Sequence, residues 1–289
     1  MRFILFACLI LAAISGRPTT PQAAPAVVAD IGPVHALASI VMDGISKPEL
    51  LISPGASPHD YQMRPSDAQK LARADIVIWM GETLTPWLEG PLGALAERAA
   101  VLELLRHDQT LILSGEEQGI DPHAWLDPKN AQNFLLAIAA ILGDIDPDNA
   151  DHYAANANSG VSKLDALIQE LADQLAPSSG KPFFVAHDAY QYFEKRFGLR
   201  ALSAIAEGDA APAGPRRLRA VRRQLIASGA RCIFAEPQFP PRLLATVKEG
   251  ASVKVVLVDP IGGSLELGVN FYEHLLTGMA RKFAHCLGQ

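Results

Sequence analysis

The sequence predicts an α/β protein of two lobes. Each lobe holds a mostly parallel sheet flanked by helices, one long rigid helix joins them, and a metal site lies in the cleft between them. Three observations carry this. Short apolar, strand-forming runs alternate with stretches of helical spacing, which implies parallel sheets covered by helices. The alternation occurs twice, on either side of residues 146–175, a stretch with one glycine and no proline after Pro147. Histidines and acids recur where predicted strands give way to loops.

The elements follow in order. Residues 26–31 read as a strand, and Gly32-Pro33 opens a helix through residue 41. Residues 50–53 form a second short strand, and a Pro-, Gly- and Ser-rich loop runs over 54–65. Residues 66–73 are helical, 75–80 a buried strand, 86–98 a helix and 101–104 extended. Another helix covers 128–142. In the long stretch, Leu164, Leu167, Ile168, Leu171 and Leu175 keep helical spacing, and Pro177 to Gly180 ends it. The second set comprises strands at 182–186, 200–206, 232–235 and 253–258, with helices at 190–197, 215–228, 240–249 and 268–286. The resulting division is 25–145, a linker helix 146–176, and 177–289. No convincing internal repeat is visible; the even spacing of His59, His123 and His187 lacks matching flanks.

The 289 residues, 49% of them hydrophobic, suffice for one large domain or two ordinary ones. A formal charge of −6 argues against a nucleic-acid partner, which would call for a basic patch. The N-terminus reads as a secretory signal peptide over residues 1–24. Met1-Arg2 carries the charge, Phe3 to Ile14 is apolar, and small residues (Ala23, Ala24, Ala26) follow. The run is too short to span a membrane, and the prolines of residues 17–25 would break a buried helix there. Cys8 lies inside the apolar run and leaves with it. Cys232 and Cys286 remain, an even pair in an oxidising compartment. A disulfide tying a strand to the C-terminal helix is the favoured reading, two buried free thiols the alternative.

Four positions share a setting. His59 lies in a Pro-rich loop, and His123 sits between the Asp-Pro pairs of Asp121-Pro122-His123-Ala124-Trp125-Leu126-Asp127-Pro128. His187 follows one strand and Asp259 another. Ligands of open α/β sheets bind beyond the carboxyl ends of strands, so all four can point into one crevice. Three imidazoles and a carboxylate suit four-coordinate zinc. Each ligating imidazole needs its other nitrogen hydrogen-bonded, and Asp60, Asp127, Asp188 and Glu236 are candidates for that role or for holding the loops. No short-spacing motif such as His-Glu-x-x-His or Cys-x-x-Cys is present. His35 reads as structural, His152, His274 and His285 fall on helices, and the three tryptophans read as core or cleft wall. Arg216, Arg217, Arg219, Arg222 and Arg223 form either a solvated helix face or a docking patch for a permease.

The segments Gly55-Ala-Ser-Pro-His59-Asp-Tyr, Asp121 to Pro128, His187-Asp-Ala-Tyr-Gln-Tyr-Phe-Glu194, Phe234-Ala-Glu-Pro-Gln-Phe239 and Val258-Asp-Pro-Ile-Gly262 resemble the zinc-binding solute-binding proteins of bacterial ABC importers, a group with manganese-binding relatives. The resemblance covers nearly the whole mature chain in matching order. It implies a monomeric periplasmic carrier of zinc, not an enzyme, that serves a membrane ABC permease. It implies metal binding by His59, His123 and His187, with Asp259 at the family's acidic position, where water is the alternative. It also implies a disulfide between Cys232 and Cys286. Manganese-binding relatives typically carry Glu at the position of His187, which tilts the metal toward zinc. One departure is the region 107–119, which holds only His107, Asp108, Glu116 and Glu117 where many zinc-specific members carry a long His- and acid-rich loop. The rival readings are a manganese or mixed-metal carrier, an adhesin or zinc store on the same scaffold, and an exported zinc hydrolase, which needs a carboxylate beside a metal-bound water.

Overall fold

The computed structural model describes residues 23–115, 119–206 and 213–288. The expected signal peptide falls, through residue 22, outside the described residues, as do Glu116 and Glu117. In chain order the elements are β1 (Val27–Ala29), α1 (Gly32–Val41), β2 (Glu49–Leu50), α2 (Pro65–Arg73), β3 (Ile76–Trp79), α3 (Glu89–Leu95), β4 (Ala100–Glu103), α4 (Pro128–Ile145) and α5 (Ala150–Leu175). Then come β5 (Phe184–Val185), α6 (Gln191–Phe197), β6 (Ser203–Ala204), α7 (Pro215–Ser228), β7 (Cys232–Ala235), α8 (Pro241–Lys248), β8 (Lys254–Leu257) and α9 (Phe271–Leu287).

The strands form two four-stranded sheets, ordered β2-β1-β3-β4 and β6-β5-β7-β8, with every pairing parallel. Both orders read second, first, third, fourth, so the lobes share a topology that no sequence repeat betrays. The strands are short, but backbone bonds carry the ladder onward. Leu51 donates to the Ala29 carbonyl (2.8 Å) and Ile52 to that of Asp30 (3.0 Å), extending β2 toward the loop that holds His59.

Alternating side chains of each strand enter different cores, as the pleat dictates. Val27, Ala29, Ile76 and Ile78 join a central core, while Val28, Val77 and Trp79 pack outward with Leu71, Leu88 and Leu92. In the second lobe Phe183, Val185, Cys232 and Phe234 face the same central core, and Phe184, Ala186, Ile233 and Ala235 face Leu218, Val221, Leu225 and Leu244. The central core is filled by α5 (Leu164, Leu167, Leu171, Leu175) and α9 (Phe271, Tyr272, Leu275, Leu276, Met279). The stacking is therefore helix, sheet, helix, sheet, helix, and the two lobes share one core. Gly160 lets α5 approach closely, because a Cβ there would stand 2.8 Å from Leu135 of α4.

Two helices differ from expectation for local reasons. The 86–98 stretch is a 3-10 turn, Pro86–Leu88, followed by the seven-residue α3. Gly90, Pro91 and Gly93 each weaken an α-helix there. The long helix begins at Ala150 and runs 26 residues, after a 3-10 turn at Pro147–Asn149. The side chain of Asp146 holds that corner by accepting from Asn149 Nδ2 and Tyr153 Oη, each at 2.8 Å.

Cys232 and Cys286 form a disulfide across 54 residues, tying the start of β7 to the last turn of α9. Other bonds lock the lobes together. Arg196 of α6 grips Asp127 with two bonds of 2.7 Å, and Trp125 Nε1 donates to the Pro260 carbonyl at 2.9 Å. Gly263 lies so close to Gly55 that an added Cβ would fall 2.5 Å from its backbone.

Candidate metal centre

The three histidines come from loops at the carboxyl ends of β2, β4 and β5. The His59 loop is braced by its neighbours. Trp87 Nε1 donates to the Pro58 carbonyl (2.8 Å), and Tyr61, packed on Trp87 with ring centres 5.5 Å apart, donates to Asp67 Oδ2 (2.9 Å).

His123 is held by Asp121. Its backbone N–H (2.9 Å) and its ring Nδ1 (2.8 Å) both donate to Asp121 Oδ1. A carboxylate on Nδ1 fixes the ring and leaves Nε2 as the coordinating atom. The second lobe reaches across to steady this loop: Tyr192 Oη donates to the Asp121 carbonyl (3.0 Å) and accepts from Leu113 N–H (2.9 Å).

With His187, these side chains converge. One donor atom from each lies within 4.8 Å of those of the other two, the spacing one ion can gather. Ring centres stand 5.7 Å apart for His59 and His123, 5.6 Å for His59 and His187, and 5.0 Å for His123 and His187. His123 is 2% exposed, whereas His59 and His187 are half-buried, so the site opens on their side. They line a cavity of about 300 Å³ with Asp60, Glu236, Asp259 and Phe239.

The surroundings are rich in carboxyls. Burial pushes Glu236's carboxyl up, with nearby His187 opposing it, and Tyr190 Oη donates to its Oε1 at 2.6 Å. Burial and then Asp121 push Asp188 up. Glu194 is pushed up to about 7, chiefly by burial. Asp121 Oδ2, Glu194 Oε1 and Glu236 Oε2 are buried with no hydrogen-bond partner among the described residues. A cation at the imidazoles would favour the charged forms of these carboxyls, opposing the effect of burial.

A model of the family described as "Zinc-uptake complex component A periplasmic" matches residues 27–286. The chain belongs to this family. Among family relatives, the "High-affinity zinc uptake system protein ZnuA" of Paracoccus denitrificans (strain Pd 1222) is 39% identical, over 97% of this chain and 98% of that one. The protein of the same name from Brucella suis biovar 1 is 33% identical, over 91% and 92%. The fold is that of the solved "Crystal structure of ZnuA", with TM-score 0.81 and 22% identity over 91% of this chain and 99% of that one. The laminin-binding protein Lbp of Streptococcus pyogenes shares it at TM-score 0.78 and 24% identity, over 92% and 100%.

The remaining predicted residues of this family member divide by what holds them. Asp259 lines the cavity but stands outside the trio; its Oδ1 accepts from Ile261 N–H (3.0 Å) and its Oδ2 from Gly263 N–H (2.7 Å). Asp127 caps α4 through Lys129 N–H (2.9 Å) and pairs with Arg196. Asp188 accepts from Gln191 Nε2 (2.8 Å), and Asp60 is exposed. Tyr190 and Tyr192 carry no signal of their roles in the sequence, whereas Asp121, one of the acids flanking His123 and expected to orient its loop and ring, does hold them. His35 is buried, its Nε2 3.1 Å from the Pro48 carbonyl. On α7, Arg217 donates to the Ala204 carbonyl and Arg222 to Glu249 (both 2.6 Å), while Arg216, Arg219 and Arg223 face solvent.

Proposed function

We propose that this protein captures zinc in the periplasm and delivers it to a membrane ABC permease, acting as a monomeric carrier and not as an enzyme. The observation that carries the reading is the convergence of His59 and His123 from one lobe with His187 from the other. Three imidazoles favour zinc over manganese, which suits carboxylate, carbonyl and water ligands. The relatives' names, high-affinity zinc uptake proteins, support the same metal.

Capture exchanges water on the ion for imidazoles. Metal and proton compete for the same nitrogens, so binding weakens as pH falls. The shared core and the Arg196–Asp127 clamp oppose a wide hinge. Release therefore proceeds through small lobe shifts or loop movement at the open, His59 and His187 side.

Calorimetric titration of the metal-free protein tests this. His59→Ala, His123→Ala and His187→Ala should each weaken zinc on the order of 100-fold or more, a proportionate share of the about 10–16 kcal/mol that structural zinc sites supply. Three variants with wild-type zinc affinity would sink the reading. Tighter binding of manganese than zinc would replace it with the manganese carrier.

A further inference from the structure

Three imidazoles leave one position of a tetrahedral ion to another donor. Three carboxylates line the cavity, and they are not equivalent. Asp60 is exposed. Asp259 has an N–H bond on each oxygen, both from its own loop. Glu236 is 7% exposed, held through Oε1 by Tyr190, and its Oε2 has no partner among the described residues. An orphaned carboxylate oxygen inside a protein is costly and calls for a reason.

The geometry points to Glu236 as the residue that positions a water on the captured ion: Oε2 accepts a hydrogen bond from the water that fills the fourth place. Glu236 lines the same cavity as the three histidines yet stands outside the group whose donor atoms lie within 4.8 Å of one another, which suits contact through one water better than direct ligation. Tyr190 sets its direction. The Tyr190 hydroxyl, fully buried, donates to Oε1 and stands 3.1 Å from the Val258 carbonyl, which leaves Oε2 as the carboxylate oxygen with no partner among the described residues. A carboxylate over the fourth position holds water there and repels competing anions, making the shell three nitrogens and one oriented water. This deepens the zinc-capture reading and rests on it.

The test uses the mature chain. Zinc affinity is measured by chelator competition for wild type, Glu236→Gln, Tyr190→Phe and Asp259→Asn. The cobalt-loaded proteins are then titrated with azide and followed by visible absorption. Glu236→Gln should bind zinc about 10- to 100-fold more weakly, as loss of an outer partner does, and Tyr190→Phe less so. Azide should reach cobalt at lower concentration in Glu236→Gln than in wild type. A purely structural role would alter the thermal stability of the metal-free protein and leave azide entry unchanged, which overturns the inference. Asp259→Asn alone opening the metal to azide overturns it too. Should Glu236→Gln not fold, Tyr190→Phe gives the same two readouts. A wild type that binds no zinc would remove the capture reading and this inference together, whereas wild-type binding with an unaltered Glu236→Gln removes the inference alone.

Discussion

The two lobes have the same strand order and differ in how they are held and what they bring to the cleft. The first lobe supplies His59 and His123, on loops braced by Trp87 and Asp121. The second supplies His187 and the carboxylates of Glu236 and Asp259. It is also the lobe closed by the Cys232–Cys286 bond. Each lobe buries one carboxyl pushed up to about 7 by desolvation, Asp30 in the first and Glu194 in the second. Asp30 has N–H bonds on both oxygens, from Ile31 (2.7 Å) and Met80 (2.8 Å). Glu194 has one, from Ala201 N–H (2.9 Å), and an unpartnered Oε1. The same topology thus carries a fully satisfied buried acid on one side and a partly satisfied one on the other. The first lobe's histidines are set by Trp87 and Asp121, and the second lobe's acids by Tyr190 and the backbone of the Asp259 loop.

The largest expected effect comes from the cross-link. Replacing Cys232 and Cys286 by serine should cost about 4 kcal/mol in chemical denaturation, the chain-entropy value for a loop of this length. Hydrogen exchange should show the loss concentrated in the second lobe; equal loosening of both sheets would mean that the shared core, not the bond, holds that lobe.

Next is the pH dependence of the metal-free protein. With folded values raised to about 7, Asp30 and Glu194 keep protons between pH ~4 and ~7 that the unfolded chain has lost. Their contribution to stability is complete below the unfolded values and is lost as pH rises through about 7. Glu194→Gln should remove its part of that slope and stabilise the protein at pH 8 by up to about 3 kcal/mol. Asp30→Asn should not stabilise it, because one backbone N–H would lose its acceptor. Thermal melts from pH 5 to 8 decide, and equal behaviour of the two variants would erase the distinction between the lobes.

A smaller effect is expected at the brace of His123. Asp121→Asn should weaken zinc about 10-fold, toward the low end for such partners, because the amide oxygen can still accept from the ring. Fold stability should change little, since Asp121 Oδ2 has no partner to lose. Smallest is Gln238→Ala, which removes the 3.1 Å bond to the Gly55 carbonyl at the exposed rim; zinc affinity should stay within twofold if the core and the Arg196 clamp set the lobe spacing.

Much of the fold was legible in the chain. α1 and α7 begin at Gly32-Pro33 and Pro215, and α7 ends before Gly229, whose φ of +68° suits a helix stop. β7 lies at 232–235 as expected because a run buried on both faces leaves little choice. The shared core was not legible, since it depends on which faces of two sheets meet across α5 and α9. The sequence suggests the histidine trio through setting, His187 after a strand and His59 and His123 in proline-rich loops, and through the family resemblance. The state of the acids could not be read this way. Nothing in Val258-Asp259-Pro260 reveals that both oxygens of Asp259 are taken by its own loop, and nothing around Glu236 reveals that one of its oxygens is spare.

X-ray absorption at the zinc edge, on protein loaded with one equivalent, tests the convergence of both lobes on one ion most directly. The shell should contain three imidazoles and one light oxygen donor at about 2.0–2.2 Å, and His187→Ala should remove one imidazole and leave the two contributed by the first lobe. A shell with one imidazole, or one dominated by six oxygens, would contradict the account.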